Sequence, residues 1–271
     1  FITRDDYSGQ FTIWLRDLEP LPIGWSNIQT HDSQAGWNPV DVADVDGDGM
    51  DDVVHAYGDG AIVIGYQSAT TAISGALDNM MWSTGPVRDL VVANVDGRYG
   101  LDIVYYKVEE PTPGDLQHSL CTMLLVDPVH RGYGGPSCTP LDEGLSQADR
   151  AAFSIRGLAV DVQDGTGTAF YIAEVEGYTG NLQARPVGGL PAPGDANYVD
   201  VCNGGGPRSF ALGEIDTDPS FVDVLVACDV DGNSYMSTLA GGIDGYEDSI
   251  DAVFGGAALT IADFDGDGPA A

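Results

Sequence analysis

Between Asp44 and Asp52 the chain reads DVDGDGMDD, which sets five carboxylates in nine residues, three of them on alternate positions. Like charges this close repel strongly unless a cation sits among them. Calcium takes about six to eight oxygen ligands, and Asp at alternate positions of a tight turn aims several carboxylates inward, while Gly supplies backbone angles that other residues avoid. On this reading Asp44, Asp46, Asp48 and Asp52 give side-chain oxygens, and the Met50 carbonyl points inward between them. A catalytic carboxylate pair fits less well, because acid–base chemistry separates two carboxyls into unlike environments and these share one turn. The alternative without chemistry is a solvated Asp-Gly hairpin, which is the reading for GDG at residues 58–60 and DVDG at 229–232.

The opening D-x-D-x-D-G also begins an EF-hand loop. That loop needs a bidentate Glu at its twelfth position, where counting from Asp44 gives His55, and the flanks PVDVA and DDVVHA pattern as strands rather than helices. The positioning elements emerge from a repeat. Five segments run from a short apolar strand through an acidic or Gly-rich turn into a second apolar strand, and their turns begin at Asp44, Asn94, Asp161, Glu214 and Asp263. Successive starts lie 50, 67, 53 and 49 residues apart, and counting from Asp263 through the C-terminus and on from the N-terminus to Asp44 gives 52. A closing interval equal to the others implies that FITRDD supplies the strand that follows IADFDGDG.

Third strands are expected at AIVIGYQ, FTIWLRD and SLCTMLLVD, and fourth strands around 25–30 and 198–202. No segment sustains a helical apolar period, so long helices are excluded. The fold expected is all-β: a five-bladed β-propeller of four-stranded antiparallel blades forming one domain over residues 1–271. Its ring is closed by N-terminal strands, about residues 1–30, that complete the C-terminal blade. A β-sandwich is the other all-β candidate, but it predicts neither five copies of one motif nor the closing interval. The second repeat is the longest, and EEPTPGDLQHS and HRGYGGPSCTPLDEGLSQADR read as its loop insertions.

The motif D-x-D-G-D-G-x-x-D between the first two strands of each repeat resembles the FG-GAP, or VCBS-like, calcium-binding propeller repeats of integrin-alpha type. The resemblance spans essentially the whole chain, with two copies close to consensus. It implies structural Ca2+ held by Asp44, Asp46, Asp48 and Asp52, with Met50 contributing through its backbone. It implies the same for Asp263, Asp265 and Asp267, where Ala271 replaces the last Asp and Asp5 or Asp6 from the N-terminal segment is a substitute ligand. A degenerate metal site falls on Glu214, Asp216, Asp218 and Asp223, the last one place late. In NVDGRYGLD the central carboxylate is replaced by Arg98, whose fixed cation is expected to stand in for metal by pairing with Asp96 and Asp102. In DVQDGTGTA too few acids remain. The family also implies extracellular recognition or adhesion, including lectin-like roles.

Composition narrows the partners. Forty-two acidic against ten basic residues give a formal charge of −32, which opposes binding to nucleic-acid phosphates or to an anionic membrane. The Asp bias fits a saline habitat, a GC-rich genome or Asp-built turns equally. No apolar run approaches the roughly 20 residues of a membrane span, and FITRDDYSGQ lacks the plan of a signal peptide, so a mature or trimmed start is expected. Cys121, Cys138, Cys202 and Cys228 are too far apart for a C-x-x-C site. Their even number suits two disulfides in an oxidising compartment, with pairs Cys121–Cys138 and Cys202–Cys228, against the alternative of buried thiols.

No nucleophile elbow, phosphate loop or zinc spacing is present. The four histidines, His31, His55, His118 and His130, read as core or surface residues, and GGGPRS at 204–209 as a connection between repeats. Asp41, Asp89 and Asp161 lie in or near first strands, where glycoside hydrolases built on propellers place their acids. Trp25, Trp37, Trp82, Tyr99, Tyr133 and Tyr178 are available to stack on sugars or to pack between sheets. Three functions follow: a secreted or cell-surface recognition module for carbohydrate or another surface polymer or protein; a structural subunit that self-assembles through its terminal strands; and a glycan-cleaving hydrolase.

Overall fold

The computed structural model describes residues 2–4, 11–16, 25–31, 39–57, 59–66, 79–83, 85–98, 100–127, 131–163, 166–175, 181–187, 197–199, 206–213, 222–230, 233–240 and 246–250. These are almost entirely β-strand, arranged as successive small antiparallel sheets, none closed into a barrel. The first sheet joins β1 (Ile2–Arg4), β2 (Phe11–Arg16) and β3 (Trp25–His31) in chain order. The second joins β4 (Val40–Ala43), β5 (Asp52–Ala56), β6 (Ala61–Gly65) and β7 (Asn79–Trp82).

The third sheet contains β8 (Val87–Ala93), β9 (Asp102–Thr112) and β10 (Asp115–Met123). A two-stranded ribbon, β11 (Leu125–Asp127) and β12 (Gly132–Tyr133), then intervenes before β13 (Ser137–Pro140) returns beside β10, giving the order β13-β10-β9-β8. A single turn of helix, α1 (Gln147–Ala152), capped by Ser146, leads on. The fourth sheet is β14 (Ser154–Gln163), β15 (Thr166–Glu174), β16 (Asn181–Val187) and β17 (Asn197–Val199). The fifth is β18 (Gly206–Gly213), β19 (Asp223–Val230), β20 (Asn233–Ala240) and β21 (Tyr246–Ile250). The third and fourth strands expected in FTIWLRD, AIVIGYQ and around 25–30 and 198–202 are β2, β6, β3 and β17.

The chain divides into two compact units. One comprises Phe1–Val92, Tyr99–Pro111 and Ser119–Cys138; the other comprises Ala93–Arg98, Thr112–His118 and Thr139–Ala271. In the first unit Val54, Ala56, Ile62 and Ile64 pack with Leu90, Val92, Ile103, Tyr105, Cys121 and Met123. Both faces of β5 and β6 are buried, which is why DVVHA and AIVIG read as unbroken apolar runs rather than alternating ones. In the second unit Phe170, Ile172, Leu182 and Ala184 pack with Val222, Val224, Val226 and Cys228, and Phe210 and Leu212 lie against them.

The second repeat departs from expectation. EEPTPGDLQHS is no loop insertion: its residues extend the arms of β9 and β10, and the turn at Pro113 and Gly114 joins them. Strand pairing satisfies this backbone, and only the outer part of β9 is exposed. The second presumed insertion supplies β12, β13 and α1. Cys121 and Cys138 form a disulfide between neighbouring strands β10 and β13. Cys228 is also disulfide-bonded, and its expected partner Cys202 lies outside the described residues. The turn at 58–60 is not wholly solvated either. Asp59 is exposed, but Gly60 is buried with φ +97, and a Cβ there would sit 2.7 Å from the Gly85 carbonyl oxygen.

One contact recurs. Val45 and Val95, the second residues of the first two repeat turns, are fully buried. Val45 O accepts the N–H of Leu101 at 3.4 Å, one residue ahead of β9, and Val95 O accepts the N–H of Gly167 at 3.1 Å in β15. Each turn thus pins the start of the second strand in the following sheet. A Cβ on Gly167 would lie 2.7 Å from Val95 Cβ. Gly167→Ala is therefore expected to lower stability in urea denaturation by about 1–3 kcal/mol through overpacking; an unchanged midpoint would contradict this docking.

Candidate metal centre

Strands β4 and β5 pair in register from Val40 with His55 to Ala43 with Asp52, so residues 44–51 form the connection between their ends. Strands on both sides settle against an EF-hand, as the flanks predicted. Gly47 and Gly49 have φ +77 and +87, and nothing lies within 4 Å of a Cβ at either. Glycine is needed there for backbone angle, not for space. The Asp44 carboxylate organises the loop: Oδ1 accepts from Gly47 N at 2.8 Å and Asp48 N at 3.0 Å, and Oδ2 accepts from Gly49 N at 2.9 Å. Asp46 Oδ1 accepts from Asp48 N, and Asp48 Oδ1 from Met50 N.

These bonds curl the turn so that one oxygen each of Asp44, Asp46 and Asp48 lies within 4.8 Å of the others. An ion about 2.3–2.6 Å from each ligand serves oxygens up to about 5 Å apart, so the spacing fits. The donor set is oxygen only, which suits a hard cation. The turn therefore brings together a group able to hold a metal ion. Asp52 is not in that group of three; it is fully buried and its Oδ2 accepts from Val45 N at 3.0 Å, fixing the turn's buried valine. Met50 is half-buried and donates its N–H to Asp48.

A residue outside the acidic motif enters this site. Arg131, just ahead of β12, places Nη2 2.5 Å from Asp46 Oδ2, and its guanidinium stacks 3.9 Å from the centroid of the Tyr66 ring. Its φ of 55° is the one positive value on a non-glycine among the described residues. Tyr133 of β12 donates its hydroxyl to Leu101 O at 2.9 Å. Burial, with Tyr66 and the carboxylates of Asp102, Asp52 and Asp46 nearby, pushes its phenol far above the usual range. Tyr133 is thus tied to the segment ahead of β9 and packs, half-buried, against the core of the first unit.

The other predicted positions divide. In the second repeat turn Arg98 Nε lies 3.4 Å from Asp96 Oδ2, as anticipated. The expected second partner, Asp102, is buried at the start of β9 with Oδ1 accepting from Leu125 N at 2.8 Å. Asp223, the last member of the degenerate motif, is buried as the first residue of β19. Asp52, Asp102 and Asp223 therefore share one place, the buried head of a second strand. Glu214, Asp216, Asp218, Asp263, Asp265, Asp267, Asp5 and Asp6 lie outside the described residues, as do His130, Trp37, Tyr99 and Tyr178. His55 is buried against Tyr57, and His118 is buried with Nε2 donating to Arg150 O at 2.9 Å. No family model, curated protein or solved structure matches this chain.

Away from the turn, β4 and β8 carry a second pair of acids. Asp41 Oδ2 accepts from Val92 N at 2.7 Å and Oδ1 from Val42 N at 2.8 Å, linking the two strands. Burial raises the Asp41 carboxyl. Asp89 is raised to about 6, by burial first and then by the charge of Asp41, against the opposing bond from Leu90 N. Asp161 in β14 is also raised by burial. A carboxyl whose folded pKa lies above its unfolded value of about 3.9 destabilises the fold when ionised. That penalty is relieved as pH falls through 6 and is gone below the unfolded pKa. Relative to Asp89→Asn, the unmodified chain should therefore gain stability on acidification from pH 7.5 to 5, measured by thermal melts, and Asp89→Asn should melt higher at pH 7.5. Parallel curves would sink the assignment.

Proposed function

We propose that this chain is a calcium-binding β-propeller of five blades that acts outside the cell as a recognition module for carbohydrate or another surface polymer. The carrying observation is the turn at 44–52. Three carboxylates converge between the first two strands of a four-stranded antiparallel sheet, and sheets of this kind follow one another along the chain at the interval of the repeat. The first sheet has three strands among the described residues, and the reading assigns its fourth to the apolar segment leading into the terminal acidic motif, outside the described residues. The Val45 and Val95 contacts, each made to the following sheet, support a repeating blade-to-blade arrangement. The Cys121–Cys138 disulfide supports an oxidising compartment.

In this reading Asp44, Asp46 and Asp48 hold Ca2+, which supplies positive charge where the chain has concentrated negative charge. Asp44 and Asp48 keep the loop curled through backbone N–H groups, and Asp52 ties the loop to the strand head. The role is structural: the turn stiffens and its self-repulsion is offset.

A second reading, glycan hydrolysis, is favoured by one observation. Asp41 and Asp89 sit on first strands joined by the Val92 N–H on Asp41, and burial raises both carboxyls, Asp89 to about 6, which suits a general acid of the kind such hydrolases use. Release of reducing sugar that disappears in Asp89→Asn would support it over the binding module.

Calcium at roughly a hundredfold over its dissociation constant is expected to raise the melting temperature by about 5–10 °C over chelator-treated protein. Asp48→Ala, which removes one of the three converging carboxylates, should lose most of that rise when each protein is compared with its own chelated melt. No calcium-dependent rise would leave the acidic turn a solvated loop. Calcium-dependent retention on a glycan array is the expected recognition result, and absence of retention on every glycan would remove the carbohydrate assignment.

A further inference from the structure

We propose that Arg131 is a tethered counter-cation of the acidic turn, which competes with the divalent ion for Asp46 and so sets the ion concentration at which the turn fills. The inference rests on the calcium reading above and concerns this chain's own means of tuning it.

The Asp46 side chain is only 7% exposed, whereas that of Arg131 is 38% exposed. A buried carboxylate beside Asp44 and Asp48 needs positive charge, and the guanidinium supplies it at 2.5 Å. Arg131 does not belong to the turn. It arrives from the ribbon of β11 and β12, far along the sequence, and its backbone adopts a left-handed conformation that an arginine disfavours. The Tyr66 face, 3.9 Å away, holds the guanidinium over the site. The ribbon itself is anchored to neighbouring strands through Leu125 N on Asp102 and Tyr133 on Leu101 O. A charged group fixed by this many contacts acts as a built part of the turn rather than as a solvated side chain.

The second repeat turn supplies an independent parallel. Asp96 occupies there the place that Asp46 occupies in the first, and it too carries a guanidinium on Oδ2, that of Arg98, from inside the turn. In that turn the arginine has replaced the central acid, so the cation is permanent. In the first turn the central acid Asp48 remains and the arginine comes from outside, so a divalent ion and the guanidinium contend for one carboxylate. A guanidinium stays charged at every pH a folded protein meets, so Arg131 is a fixed competitor that only the ion concentration overcomes. Entry of an ion beside Asp46 repels Arg131, and the displacement falls on the ribbon that carries it.

The test is calcium titration by calorimetry of the chelator-stripped full chain, unmodified and as Arg131→Asn, Arg131→Gln and Arg131→Lys. Asparagine tolerates the left-handed backbone and is too short to reach Asp46; glutamine gives a second neutral variant. Both are expected to bind calcium at least about tenfold more tightly than the unmodified chain and to melt at a lower temperature in chelator, while Arg131→Lys stays near the unmodified affinity. Affinity unchanged or weakened in the neutral variants, with the unmodified chain binding, overturns the competition and leaves the calcium reading standing. Absence of binding in all four proteins overturns both.

Discussion

The first two repeat turns each bury one valine between two oxygen-bearing side chains, whereas the matching residue of the third, Val162, is exposed. Val45 lies between Asp44 and Asp46, and Val95 between Asn94 and Asp96. Both valines are fully buried and both surrender their carbonyls to the next sheet. Because the valine is fixed on one side, its neighbours are presented on the other. The contact that docks sheet on sheet and the geometry that gathers carboxylates are thus one arrangement of the same few residues. Asp52 joins the two, since its buried carboxylate takes the N–H of Val45.

Electrostatics follows from that coupling. In a chain with 42 acids and ten bases, five of the bases are placed on acids among the described residues: Arg98 on Asp96, Lys107 on Glu109, Arg131 on Asp46, Arg150 on Asp115 and Arg156 on Glu174. Arg150 also ties the hairpin arm at Asp115 to the short helix α1, whose Gln147 reaches the Gly114 carbonyl at the hairpin tip. Where no base is at hand, backbone N–H groups serve instead, as at Asp44 and Asp41.

The strands and the leading acidic turn were legible because their signals are local. Runs such as AIVIG declare a strand buried on both faces, and alternating Asp with Gly declares a turn. What escaped were roles settled by residues far apart in the chain. Nothing in HRGYGG announces that Arg131 crosses to Asp46, since a lone arginine before Gly reads as a loop residue. Spacing makes Asp52 a ligand and Asp102 a partner of Arg98, and it does not reveal that these buried carboxylates also accept the N–H groups of Val45 and Leu125. The extra length of the second repeat read as loop insertion, whereas EEPTPGDLQHS extends the paired arms of β9 and β10.

The placement of Lys107 has a practical corollary. It is the one lysine of the sequence, and it is 5% exposed with its amine 3.1 Å from Glu109. The native surface therefore presents essentially no side-chain amine. Acylating reagents, amine cross-linkers and aldehyde coupling would pass over the folded chain's side chains and mark this residue only when the sheet around β9 opens. Acylation at that single nitrogen would count unfolding events directly, without a probe having to be introduced.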